Sequence, residues 1–103
     1  GARCDELYAL ALGMAEKAGL TGCFMGMKQK AKFVGHGTGI VINEQPVLGP
    51  RSKDILEAGM CLALEPKFVI AGTGAVGIED TVLVSTAGGV NLTPCDPDLV
   101  VIA

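Results

Sequence analysis

The 103-residue chain holds no apolar run near the ~20 residues that a membrane-spanning helix needs, and no signal peptide is visible. It also lacks any Cys-x-x-Cys pair. Cys4, Cys23, Cys61 and Cys95 stand far apart, which excludes zinc-ribbon and thioredoxin-like sites. A disulfide framework is not expected either, since secreted scaffolds are denser in cysteine and Cys61 lies inside an apolar strand pattern. The expectation is a reduced, cytoplasmic protein. Positive charge is scarce: eight Lys and Arg against eleven Asp and Glu leave a net charge of −3. Nucleic-acid binding needs clustered cations to displace counterions, so no nucleic-acid partner is expected. The one basic cluster, Lys28, Lys30 and Lys32, alternates as a solvated edge would. No internal repeat, low-complexity tract or linker is present.

What the chain does have is apolar surface. Half of its residues are hydrophobic and 18% are charged, a greasy balance for so small a body. Either it forms a homo-oligomer, or it belongs to something larger whose remainder covers an apolar face. The start at Gly1-Ala2-Arg3, running straight into a helical pattern, favours the second expectation: a single partial domain over 1–103.

Leu7, Leu10, Ala11, Met14, Ala15 and Ala18 recur at three- and four-residue steps, predicting a one-faced helix from Cys4 to Lys17 with Gly19 at its end. A glycine-punctuated stretch follows from Thr21 to Gly39. Ile40 to Asn43 is a short strand candidate, stopped by Pro46, Gly49 and Pro50. Ser52 to Glu57 reads as a turn or helical loop. Met60 to Ile70 and Ala75 to Ser85 are rich in Val, Ile, Leu and Thr, and the turn Ala71 to Gly74 between them predicts a β-hairpin. Ala87 to Gly89 is a further turn, and Leu99 to Ile102 a last strand. The predicted class is α+β, a helix against a curved, mainly antiparallel sheet.

A hairpin turn centred near Gly72 makes Glu65 and Glu79 cross-strand neighbours on one face, their Cβ atoms roughly 5 Å apart. Paired like charges among apolar neighbours destabilise a sheet unless one carboxyl is protonated or a cation lies between them. A one-residue slip in register would instead send them to opposite faces. His36 is the sole histidine, held in Gly35-His36-Gly37-Thr38-Gly39. A histidine in a glycine loop is ordinarily a surface residue. A phosphate cradle is not supported, because no Gly-Lys-Ser/Thr follows. The glycines do permit the close backbone approach that a metal site or narrow cleft requires. One imidazole and two carboxylates suit a divalent first-row ion, and two bridged ions would need more carboxylates than these.

The ordered set Gly35 to Gly39, Asn43-Glu44-x-Pro46, Gly59-Met60 leading to Leu64-Glu65-Pro66, Gly77 to Val84 and Asn91-Leu92-Thr93 resembles the pita-bread metallopeptidases. That family includes prolidase, aminopeptidase P and methionine aminopeptidase, with the metal-free creatinase as a relative. The resemblance runs from about Leu7 to Thr93 and implies a partial pita-bread (creatinase/aminopeptidase) fold, the carboxy-terminal half of a catalytic domain. It implies that His36, Glu65 and Glu79 bind metal, that Glu65 and His36 serve catalysis, and that Asn43 contacts substrate. It further implies two divalent ions (Mn, Co or Zn) in the complete enzyme, with none necessarily bound by this part alone. The partners implied are a short peptide substrate and the amino-terminal half of the same protein.

Three departures stand out. The family's two aspartate ligands precede the first helix, and none of Asp5, Asp54, Asp80, Asp96 or Asp98 matches their motif. Asn43 stands where a histidine is frequent, and Gly77 where an arginine is frequent, so a proton carrier and a cation are both lost. The implied activity is Xaa-Pro dipeptidase or aminopeptidase P-like hydrolysis. The alternatives are a creatinase-like non-peptidase hydrolase and a metal-free binding module on the same fold.

Overall fold

The computed structural model describes residues 1–102. Helix α1 spans Cys4–Lys17, the predicted bounds. Its end is fixed by Gly19, whose φ of +71° lets the Gly19 N–H reach the Glu16 carbonyl and the Leu20 N–H reach the Ala15 carbonyl, each at 2.9 Å. These two bonds form the Schellman closure, which satisfies carbonyls that the helix itself leaves unpaired. At the other end the Cys4 N–H donates to the Asp54 carbonyl at 3.0 Å, tying the first turn to the loop after β2.

Seven strands follow: β1 Gly35–Gly37, β2 Glu44–Val47, β3 Cys61–Leu64, β4 Lys67–Ile70, β5 Gly74–Gly77, β6 Asp80–Ser85 and β7 Gly88–Asn91. Five of them form an antiparallel sheet in the order β2-β1-β3-β6-β7, and β4 and β5 form a separate two-stranded ribbon. The predicted long hairpin is therefore one hairpin broken in the middle. Leu64 faces Asp80 below the break and Lys67 faces Gly77 above it. The same register runs through both halves, and it sets Glu65 opposite Glu79. The break comes at Pro66, which has no N–H to give a ladder. Beyond it, β4 turns its free edge to another segment: the Met25 N–H donates to Lys67 and the Val69 N–H to the Cys23 carbonyl, both at 2.8 Å.

Two strand expectations are corrected. Ile40 to Asn43 is a bent loop, and the strand lies at Glu44–Val47, across Pro46. The proline is tolerated because β2 is an edge strand and its pairing with β1 shifts register between His36 and Gly37, so no N–H is required there. Leu99 to Ile102 is not a strand. Its residues are exposed and outside any ladder.

Alternation divides the main sheet into two faces. Leu62, Leu64, Val82 and Val84 look toward α1, where Cys4, Ala15, Phe24, Met25, Val34, Leu48, Leu56 and Leu62 form the core. His36, Ala63 and Thr81 occupy the opposite face, with Glu65 and Glu79 continuing it at the break.

Candidate metal centre

His36 sits at the middle of β1, paired with Ala63 of β3 on one side and Val47 of β2 on the other. Its flanking glycines are steric necessities. A Cβ on Gly35 would lie 2.6 Å from the Ala63 carbonyl oxygen, and one on Gly37 would collide with the Gln45 carbonyl. The close approach expected around the imidazole is thus real. His36 is 5% exposed, so it is a buried residue and not the surface-loop histidine that its glycine context ordinarily denotes.

The ring is oriented by Nδ1, which lies 2.9 Å from the Gly37 carbonyl oxygen. A carbonyl only accepts, so Nδ1 carries the proton and donates it. Nε2 then points at Glu65 Oε1, 3.4 Å away. In the neutral ring these are two lone-pair donors facing each other. Such a pair is stable when a positive centre, a proton or a metal cation, lies between them. A histidine whose second nitrogen is held by a backbone carbonyl is the usual arrangement of a metal-ligating imidazole.

The other Glu65 oxygen, Oε2, accepts from Lys67 Nζ at 3.4 Å. Glu79 and Asn43 line the same depression as His36 and Glu65, a cleft of about 550 Å³ with Thr38, Ala63 and Thr81 on its walls and Ile40, Val41 and Ile42 at its edge. A smaller hollow of about 210 Å³, walled by Pro66, Lys67, Ala75 and Gly77, adjoins it and shares Glu65 and Glu79.

The structure thus brings His36 and Glu65 into direct contact and puts Glu79 and Asn43 on their cleft. It does not draw Glu79 into the pair: among the described residues no group of three or more His, Cys, Asp and Glu side chains closes to metal-holding distance. Glu79 is exposed, while Glu65 Oε2 is engaged by Lys67 Nζ. The donor set, one oriented imidazole nitrogen and carboxylate oxygens, fits a divalent first-row ion in chemistry. His36 and Glu65 would hold it, with Glu79 within the same cleft. None of Asp5, Asp54, Asp80, Asp96 or Asp98 lines the cleft; Asp80 instead accepts from Thr93 Oγ1 at 3.0 Å, pinning the segment after β7.

Lys67 is a residue of the site that none of the sequence motifs singles out. Its signal is simple: it stands two residues after Glu65, the spacing that keeps strand side chains on one face.

Comparison with known proteins agrees with this architecture. The chain is 33% identical over 102 residues to an Xaa-Pro dipeptidase of Lactobacillus helveticus, covering 99% of this chain and 26% of that protein. It is 38% identical over 66 residues to an Xaa-Pro dipeptidase of Pyrococcus furiosus, covering 64% of this chain and 19% of the relative. Among solved structures it superposes on an Xaa-Pro dipeptidase from Bacillus anthracis with a TM-score of 0.85 at 32% identity, over 99% of this chain and 27% of that one. A prolidase from Pyrococcus furiosus gives 0.81 at 31% identity, over 93% and 27%. The chain therefore spans about a quarter of the length of the relatives that it matches over nearly all of its own. The sheet and helix are a portion of the pita-bread fold, as expected. Residues 1–86 match the profile of Metallopeptidase family M24, and the chain belongs to that family.

Proposed function

We propose that the protein carrying this chain hydrolyses Xaa-Pro peptides with the help of two divalent ions, and that this chain is the carboxy-terminal, ligand-bearing part of its catalytic domain. The observation that carries the reading is the His36–Glu65 pair, two lone-pair donors 3.4 Å apart in a cleft that also holds Glu79. Bound ions supply an activated water and polarise the scissile carbonyl. This chain's part is to hold them through His36, Glu65 and Glu79, to relay a proton at the Glu65 carboxylate, and to offer the Asn43 amide to a peptide carbonyl. The similarity to Xaa-Pro dipeptidases supports the substrate class. Other copies of the protein and its own amino-terminal half are the proposed protein partners. The four cysteines are free, which suits the reducing cytoplasm.

The test is Mn²⁺- or Co²⁺-dependent cleavage of an Xaa-Pro dipeptide by the full-length protein and by its Glu79→Ala variant. Metal-dependent turnover that falls at least about a hundredfold in the variant is the expected outcome. Turnover indifferent to metal, or to the substitution, contradicts it.

A second reading is favoured by Asn43 and Gly77, which lack the proton carrier and the cation of the family pattern. It is a creatinase-like hydrolase, or a metal-free binding module on the same fold. Elemental analysis of the full-length protein separates the two, since stoichiometric metal is required by the first and absent from the second.

A further inference from the structure

The cleft and the hollow beside it carry two carboxylates, Glu65 and Glu79, and among the residues that line them there is a single Lys or Arg, Lys67. Lys67 lies on β4 directly across from Gly77 of β5. A Cβ at position 77 would come within 2.8 Å of the Lys67 Cβ and 3.0 Å of the Pro66 carbonyl oxygen. Glycine there keeps the face open for the lysine stem. The two positions are complementary: the strand that lacks a cation faces the strand that supplies one.

The ammonium is held loosely. Its contact with Glu65 Oε2 is 3.4 Å, well beyond the ~2.7–2.9 Å of a firm charge-assisted bond. Its side chain is 41% exposed, and among the described residues Nζ has no second acceptor. An ammonium has three donors, so two are available to a ligand. Glu65 is also the carboxylate proposed to bind metal. Once its oxygens are engaged there, Lys67 keeps its charge and needs another anion.

Building on the proposed peptidase reading, we infer that Lys67 receives the free carboxylate of the substrate. Its place beside the ligand pair means that this carboxylate must lie close to the scissile bond. The substrate is then a dipeptide in preference to a longer peptide, in which an uncharged amide occupies that position.

The experiment compares Ala-Pro with Ala-Pro amide in the metal-loaded full-length protein. The wild type should prefer the acid, measured as a ratio of kcat/KM values. Lys67→Met should lower that preference about tenfold or more, the size of a hydrogen-bonded charge contact. Lys67→Arg should keep most of it, which also shows that the position tolerates change. Equal loss on acid and amide, or no loss, overturns the assignment. If the wild type cleaves neither compound, the peptidase reading fails. Calorimetric binding of proline against prolinamide then decides the lysine alone: a preference for the acid that Lys67→Met removes upholds it, and equal affinities overturn it.

Discussion

Cys4 and Cys95 carry the same thiol in opposite surroundings. Cys4 is fully buried at the start of α1, and burial pushes its thiol pKa up, with the Asp54 and Asp5 carboxylates adding to the effect against a lowering hydrogen bond from Ser52. Cys95 is exposed. Because the thiolate is the reactive form, alkylation of the native chain near neutral pH should modify Cys95 rapidly and spare Cys4, as read by peptide mass spectrometry. The sign of the linkage is fixed by the direction of the shift. The folded state holds the Cys4 proton more tightly than the unfolded chain does, so that contribution is intact below the ordinary thiol range. It is lost as pH rises through the raised value. Rapid labelling of Cys4 at neutral pH would show that α1 is not packed as described. At the candidate centre, the four residues that the family resemblance singled out, His36, Glu65, Glu79 and Asn43, all line one cleft. The Lys67 contact was not legible as chemistry, because a lysine after Glu-Pro reads as an ordinary strand cation until its facing residue is known.

At the scale of elements, α1 followed its sequence because its signals are local. The three- and four-residue apolar spacing marks its body, and Gly19 marks its end. Nothing lies within 4 Å of where a Cβ on Gly19 would stand, so replacing it tests conformation alone. Gly19→Ala should destabilise the chain by about 1 kcal/mol through the left-handed backbone that alanine resists, measured as a shift in denaturant midpoint at constant slope. A neutral result would mean that the helix ends some other way. The strands were less local. Pro46 reads in sequence as a breaker, yet β2 runs across it, because only the neighbour arrangement shows that its edge needs no N–H at that point. The hairpin behaves in the converse way. Its short turn was visible in the sequence, whereas its division at Pro66 into two sheets depends on Cys23 and Met25 arriving from elsewhere.

For the molecule as a whole, apolar cover is incomplete. Leu10 and Met14 of α1 are 62% and 65% exposed, and with Leu7, Ala11, Leu64 and Val84 they border an open apolar groove between helix and sheet. Helical periodicity put these residues on one face correctly, but a face is buried only where a partner reaches it. The same incompleteness holds for the candidate centre, where one imidazole and two glutamates fall short of the carboxylates that two bridged ions demand. The isolated 103-residue chain should therefore show no metal-dependent cleavage of Xaa-Pro dipeptides, even where the full-length protein does. Turnover by the isolated chain, assayed with Mn²⁺ or Co²⁺, would mean that its own residues suffice.

The sequence by itself determined the helix, whose signals are short-range, and pointed to the hairpin. The resemblance to the family, and not spacing, pointed to His36, Glu65, Glu79 and Asn43. The structure chose the register that sets Glu65 opposite Glu79 over the one-residue slip. The tertiary structure alone decided that His36 is buried, with Nδ1 turned to Gly37 and Nε2 to Glu65. It also decided that Lys67 shares Glu65 and that Glu79 stays in water. These are distances between strands far apart in the chain, and they depend on how closely glycine lets one backbone approach another.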